Sequence, residues 1–231
     1  MSQATPAVSR ADSTRQQLLD AAAAVFADHY FDGARVTDIA TRAGQPVSAI
    51  NYHFGGKLGL YQAMLEQQLA HHLSHWPLIP PGAEALPPPE RLRAMIHALL
   101  HRFCAPGAPI PLTRIVAREF AQPTAALNTL IEQVARPQLT QLAKVIGELT
   151  GERREMRLKR LVLSVVGQCA FYFFARPVVS QLAPGAYADE QSLEQTADHI
   201  ADFSLAALRA MAASAEPSSA SAPTEESCAP H

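Results

Sequence analysis

Five consecutive or near-consecutive residues carry groups suited to reading the edges of DNA bases. Gln45, Ser48 and Asn51 offer amides and hydroxyls, which match the donors and acceptors that base pairs present in the major groove. Asn51 can pair with adenine, and Val47 can contact a thymine methyl group. We therefore predict that this segment, including Pro46, binds DNA bases.

Two cations beside this segment have the chemistry of phosphate contacts. Arg35 precedes the first of two predicted helices, so its guanidinium would add positive charge where a DNA backbone would lie. Lys57 opens a predicted long helix, whose N-terminus also favours an anion. A solvated helix start is the alternative interpretation of Lys57.

Two short helical patterns around one glycine would position these side chains. Ile39 and Ala43 are four residues apart on the first pattern, and Ile50 and Phe54 are four apart on the second. Gly44 lies between the patterns and can adopt the left-handed conformation that ends a helix. This arrangement is typical of a helix-turn-helix.

Residues 12 to 65 resemble the TetR family of transcriptional repressors. The likeness rests on Thr14-Arg15 through Phe26, Asp38-Ile39-Ala40, Ala43-Gly44, Tyr52-His53-Phe54-Gly55-Gly56-Lys57 and Leu60-Tyr61. Four segments resemble the CecR-like subgroup of that family: Ala49 to Lys57, Arg118-Glu119, Gly167-Gln168-Cys169 and Phe174-Ala175-Arg176-Pro177.

The resemblance implies an all-α homodimer. Its N-terminal three-helix domains would sit in successive major grooves of a palindromic double-stranded operator, and a C-terminal helical domain would bind a small-molecule inducer that loosens DNA binding. It also implies phosphate contacts from Thr37, Tyr52, His53 and Lys57. Packing of the two rings against neighbouring aromatic residues is the alternative for Tyr52 and His53.

Three positions depart from the family pattern. Members usually carry Gly in place of Tyr30, Ser or Thr in place of Arg35, and Val in place of Gln45. A left-handed Tyr30 would cost about 1 kcal/mol, so we expect the first helix to end differently here. Arg35 provides no side-chain cap, and Gln45 leaves open where the recognition helix starts.

Composition and the positions of proline and glycine divide the chain of 231 residues into five parts. We expect disorder in residues 1–11 and in the Ser, Ala, Pro and Glu-rich tail 214–231. Between them we predict a DNA-binding domain with its connecting helix (12–75), a proline-rich linker (76–89) and a ligand-binding and dimerisation domain (90–213). The predicted helices of that last domain are Glu90 to Phe103, Leu112 to Phe120, Thr124 to Leu149, Glu152 to Ala175 and Asp189 to Met211. Ser13 and Gln16 form a capping-box signal for the first helix.

The overall composition limits the class of protein. The formal net charge of −2 gives no general attraction to DNA, so the DNA prediction depends on the motif. Three widely spaced cysteines fit a reducing compartment, and the polar N-terminus has no signal-peptide core. The longest apolar run, Leu161 to Ala175, is interrupted and too short for a bilayer. We therefore expect a cytoplasmic protein with no membrane partner.

Two apolar stripes predict a subunit interface in the C-terminal domain. They are Leu158, Leu161, Val162, Val165, Val166, Cys169 and Phe173 on one helix, and Leu193, Ala197, Ile200, Ser204, Leu208 and Met211 on another. Two such helices can complete a four-helix bundle with a second copy. The alternative is that both stripes face the core of their own subunit.

Aromatic and charged residues of the same domain are candidates for the inducer site. They are Phe103, Arg114, Arg118, Phe120, Cys169, Tyr172 and Phe173. Apolar walls with a few polar groups are the usual form of a small-molecule site. Core or interface packing is the alternative for each aromatic residue, and Arg118 with Glu119 can be a surface pair.

Two histidine pairs have a spacing that metal ligands can have. His71 with His75 and His97 with His101 are each four residues apart, which places both rings on one helix face. Apart from Cys104 no third ligand lies at an obvious spacing, so we predict no metal and no cofactor. A small helical enzyme is disfavoured because the chain has no phosphate loop or nucleophile elbow. A role as activator, or a response to a metal or protein partner, stays open.

Overall fold

The computed structural model describes residues 10–104 and 110–213, and within them all regular structure is helical. The predicted all-α class is confirmed. The helices are α1 (Arg10–Gly33), α2 (Val36–Ala43), α3 (Val47–Phe54), α4 (Lys57–His75), α5 (Pro88–Cys104), α6 (Ile110–Ala121), α7 (Leu127–Leu130), α8 (Arg136–Thr150), α9 (Glu155–Phe174), α10 (Arg176–Leu182) and α11 (Glu190–Ala213). A 3-10 turn spans Ala83–Ala85, and a π-helical segment spans Ile131–Ala135. Of the two termini predicted to be disordered, residues 1–9 and 214–231 lie outside the described residues, whereas Arg10 and Ala11 belong to α1, so the prediction was wrong for those two.

Helix α1 differs from the prediction at both ends. It begins at Arg10, so Ser13 lies inside the helix rather than capping it, because Arg10 and Ala11 are themselves good helix formers. Tyr30 interrupts the helix with φ 56° and ψ −177°, and the chain then continues to Gly33. The guanidinium of Arg118 lies over the Tyr30 ring, 5.1 Å from its centre.

Proline positions explain two further differences. Helix α5 begins at Pro88 instead of Glu90. Proline is tolerated there because the N–H groups of the first helical turn have no acceptor within the helix, so a missing N–H costs no hydrogen bond. The predicted linker 76–89 therefore contains the 3-10 turn and the start of α5. Helix α10, which the sequence did not predict, likewise carries Pro177 in its first turn.

The single helix predicted from Thr124 to Leu149 is divided in the structure. It consists of α7, the π-helical segment and α8, and the chain turns at Thr124 before α7 begins. Pro137 stands at the start of α8, where it removes an N–H that a continuous α-helix would use. The wider π turn accommodates this missing donor.

Two hydrophobic cores organise the chain. The first joins α1 to α4 with Leu112, Ile115 and Val116 of α6 and Leu130 of α7. The second joins α5, α8, α9 and α11. Phe173 packs against both cores. Helix α6 belongs to the predicted C-terminal domain by sequence, yet its apolar face packs with the N-terminal helices.

The stripes predicted to form the subunit interface mostly face the core of their own chain. Leu161, Val162, Val165 and Cys169 are buried there, and Leu193, Ala197, Ile200, Ser204 and Leu208 are buried opposite them. Periodicity defined the apolar face of each helix correctly, but α5 and α8 supply the partners that a second copy was expected to provide. That interface prediction was wrong for these residues.

No single described helix is long and apolar enough to cross a membrane. Helices α9 and α10 together reach the required length and composition, but they meet at an angle of 82°.

Candidate nucleic-acid interface

A tight turn fixes α3 across α2. Gly44 ends α2 with φ 64°, and its N–H donates to the Thr41 carbonyl. The N–H of Gln45 donates to the Ala40 carbonyl at 2.9 Å, which reverses the chain. Ile39, Ala40 and Ile50 are buried where the two helices cross. The predicted helix-turn-helix is present, and α3 starts at Val47 after Pro46.

The candidate base-reading side chains differ in how free they are. Ser48 and Asn51 are exposed along the outer face of α3, as are Pro46 and Val47 at its start. Gln45 is only half-buried, and its Nε2 donates to Oε1 of Gln17 in α1 at 2.8 Å. The amide of Gln45 thus ties the start of the recognition helix to α1.

The candidate phosphate contacts surround this face. Arg35 and Thr37 are exposed before and within α2, and Tyr52 is 84% exposed on α3. The half-buried His53 ring packs edge-on against Tyr52, with 5.0 Å between ring centres. Arg35 precedes α2 in an extended conformation without a side-chain cap, as predicted from its side chain.

Lys57 is held by the end of α1. Its Nζ donates to the Asp32 carbonyl at 3.3 Å and lies 4.7 Å from the centre of the Phe31 ring. This contact orients the ammonium group beside α3 and the start of α4. Residue spacing did not predict this contact, because Asp32 and Lys57 are 25 residues apart along the chain.

A close backbone approach joins α3 to α4. Gly55 and Gly56 turn the chain with φ of 72° and 124°. Gly59, in the first turn of α4, has no room for a side chain, since a Cβ there would lie 1.9 Å from the Phe54 carbonyl oxygen. The position of α3 relative to α4 therefore depends on Gly59.

We expect Gly59→Ala to lower the free energy of unfolding by about 1–3 kcal/mol, because the added methyl group forces the Phe54 backbone away. Urea denaturation measures this change. Gly147→Ala in α8 is the matched control, since its Cβ would meet the nearest atom at 3.5 Å. Alanine favours a helix there by up to about 1 kcal/mol. Equal stability of Gly59→Ala and the unmodified chain would contradict the close approach.

A buried carboxylate connects α4 with α6. The hydroxyl of Tyr61 donates to Oε1 of Glu119 at 2.8 Å, and the backbone N–H of Thr124 donates to Oε2 at 3.0 Å. Glu119 is only 1% exposed. Burial, followed by the bond to Glu119, raises the pKa of Tyr61 well above its usual value. The surface pair considered for Arg118 and Glu119 is therefore incorrect.

A buried arginine fastens the other end of α4. Arg102 of α5 donates from Nε and Nη2 to the carbonyl of Trp76, which follows the last turn of α4. Helix C-termini favour such cations. Burial, and then the charge of Arg102, lower the pKa of His72 to about 4. Both ends of α4 are thus attached to helices of the C-terminal half.

The candidate inducer residues differ in their burial. Cys169 is buried in the C-terminal core, and burial raises the pKa of its thiol to about 12. Tyr172 and Phe173 are half-buried near it, whereas Arg114 and Phe120 are exposed. The side chain of Phe103 lies outside the described part of the chain.

An apolar groove of about 290 Å³ lies elsewhere on the C-terminal half, between the π-helical segment, α8 and α9. Its walls are formed by Ile131, Ala135, Leu139, Ala143, Val162 and Leu163, with Arg136, Thr140 and Lys159 among them. None of the predicted inducer residues lines it. Its walls come from two stretches of chain, residues 131–143 and 159–163, so no local pattern in the sequence predicts this groove.

Comparisons with known proteins assign both halves of the chain. Residues 18–64 match the model of bacterial regulatory proteins of the tetR family. Residues 88–208 match the C-terminal domain of the HTH-type transcriptional dual regulator CecR. The regulator CecR of Shigella flexneri is 28% identical over 199 residues, which cover 80% of this chain and 86% of that protein.

Solved structures share the fold at low sequence identity. A putative transcriptional regulator from Pseudomonas aeruginosa PAO1 has a TM-score of 0.63 at 19% identity and covers 85% of this chain and 93% of its own. The fatty acid degradation regulator FadR from Bacillus halodurans has a TM-score of 0.62 at 18% identity, covering 90% and 99%. FadR from Bacillus subtilis, in complex with stearoyl-CoA, has a TM-score of 0.61 at 15% identity, covering 82% and 97%.

Proposed function

Since the chain belongs to the TetR family and carries the C-terminal domain of CecR-type regulators, we propose that it is a repressor that a small-molecule inducer releases from a palindromic operator. The observation that carries the proposal is the outer face of α3. That face presents Ser48, Asn51 and Tyr52 to solvent while Ile50 anchors the helix in the core. The chain would act in the cytoplasm by binding alone, without a catalytic step.

The proposed DNA contacts divide into two sets. Ser48 and Asn51 read base edges, with Val47 against a thymine methyl group and Pro46 and Gln45 at the start of the helix. Arg35, Thr37, Tyr52, His53 and Lys57 contact phosphates. The bond from Gln45 to Gln17 makes Gln45 the least available base reader, since that bond must break for the amide to reach DNA.

A homodimer would place two copies of α3 in successive major grooves, about 34 Å apart. The proposed interface is the outer face of α9 and α11, because large apolar side chains are exposed there. Leu163 is 57%, Phe171 55% and Phe203 61% exposed. Gln168 donates to Ser204, so α9 and α11 lie side by side.

The inducer is proposed to act through α4. A ligand near Cys169, Tyr172 and Phe173 would press on both cores, since Phe173 contacts each of them. Arg114, Arg118, Phe120 and Phe103 stay as further candidates on neighbouring segments. Displacing α6 would move Glu119, which holds Tyr61 of α4. Such a ligand must bind the released state more tightly than the DNA-bound state.

A second candidate function is activation at some promoters. The relative from Shigella flexneri is named a dual regulator, and the shared C-terminal domain is described by the same words. The same DNA-binding surface serves both roles, because the effect on transcription depends on where the operator lies.

The proposal is tested by sequencing random DNA fragments retained by the purified protein. We expect a palindrome with two half-sites. Asn51→Ala should lose about 1–3 kcal/mol of discrimination at one position of each half-site and leave the others unchanged. Fragments without any common sequence would overturn sequence-specific binding.

Lys57→Ala is the matched control for a phosphate contact. It should weaken binding evenly across sequences. The slope of the logarithm of affinity against the logarithm of salt concentration should fall by about one. Because Lys57 also binds the Asp32 carbonyl, a thermal melt must accompany the gel-shift titration. Unchanged DNA affinity would assign Lys57 to the fold alone.

A further inference from the structure

A line of ionisable side chains joins α5 to α11 on the C-terminal half. Arg93 bonds both Asp198 and Asp202, and Nε2 of His97 lies 3.0 Å from Oδ1 of Asp198. One turn further along α5, Nδ1 of His101 lies 3.1 Å from Oε1 of Glu190. Residue numbers rise on α5 as they fall on α11, so the two helices are antiparallel here.

His97 and His101 therefore face carboxylates of α11 that are distant from them along the chain. Glu194 lies between Glu190 and Asp198 on the same face of α11, since the three are each four residues apart. Possible ligand atoms of His101, Glu190 and Glu194 all lie within 4.8 Å of one another. Three potential ligands from two helices meet at one point.

The charge of this line is unbalanced. Four carboxylates on α11, those of Glu190, Glu194, Asp198 and Asp202, face Arg93 and two histidines. Arg93 is bound to the two aspartates at the far end. The carboxylates of Glu190 and Glu194, at the other end of the line, carry two negative charges that a divalent cation would offset.

The distances between these ligand atoms are compatible with a transition-metal ion. Ligand atoms about 2.1 Å from a tetrahedral zinc ion lie about 3.4 Å apart, close to the 3.1 Å between His101 and Glu190. Imidazole nitrogen with carboxylate oxygen is a usual donor set for zinc and its neighbours. The His101 side chain is 15% exposed and that of Glu190 62%, so an ion can enter and keep a water ligand.

We propose that His101, Glu190 and Glu194 bind one divalent transition-metal ion, with zinc as the reference ion. His97 and Asp198 lie beside the site, and the His97 ring stacks on that of His101 at 6.3 Å. The ion would clamp α5 to the first turns of α11. This site is independent of the inducer proposed above, because its residues are separate from the candidate inducer residues.

Zinc titration of the full-length protein by calorimetry tests this site. We expect one zinc ion per chain, and we expect Glu190→Gln with Glu194→Gln to weaken binding by more than about 100-fold, since even residues behind the direct ligands are worth 10-fold to 100-fold. Both glutamates are exposed, so these changes should leave the fold intact. His101→Asn should give the same loss.

The double variant His71→Asn with His75→Asn is the matched control. This pair has the same four-residue spacing, but among the described residues it belongs to no group of three potential metal ligands. The double variant should bind zinc as the unmodified chain does. The proposal is overturned if the unmodified protein binds no zinc, or if the glutamine variant binds it with unchanged affinity.

Discussion

Replacing Glu119 by alanine is expected to lower the free energy of unfolding by about 2–5 kcal/mol. The change leaves the Tyr61 hydroxyl and the Thr124 N–H without their acceptor, and each unpaired buried group costs about 1–3 kcal/mol. Because Glu119 is buried between the N-terminal core and the turn before α7, solvent cannot readily replace it.

Urea denaturation monitored by circular dichroism measures this loss. Glu66→Ala is the control, since Glu66 is exposed on α4 and should change stability by less than about 0.5 kcal/mol. Glu119→Gln keeps an acceptor for Tyr61 and should lie between the two. A loss from Glu119→Ala as small as that from Glu66→Ala would show that this carboxylate does not hold α6 to α4.

Placing charge on the outer face of α9 and α11 is expected to convert the proposed dimer to monomer and to reduce operator affinity by about 100-fold to 10,000-fold. Leu163→Glu with Phe203→Glu would desolvate two carboxylates in an apolar interface. A monomer binds one half-site and loses the gain from simultaneous contact with both.

Analytical ultracentrifugation measures the mass, and a gel shift on the selected operator measures the affinity. Leu86→Glu is the matched control, because Leu86 is a similarly exposed leucine between the 3-10 turn and α5. It should remain dimeric and bind normally. A dimeric double variant with full operator affinity would place the interface on another face.

Local sequence was sufficient to predict the helix-turn-helix. Glycine at position 44, followed by the apolar pair Ile50 and Phe54, defines a turn and a helix from neighbouring residues alone. The same is true of the apolar faces of α9 and α11, whose buried residues follow the predicted period.

Only the tertiary structure decided what each face meets. Glu119 reaches Tyr61 across 58 positions, His101 meets Glu190, and the stripe of α9 packs on α5 instead of on a second copy. Periodicity fixes which residues share a side of one helix, because that depends on the local backbone. The residues that oppose a helix face depend on how all the helices pack. The buried hydrogen bonds, the apolar groove and the candidate metal site could therefore be identified only from the tertiary structure.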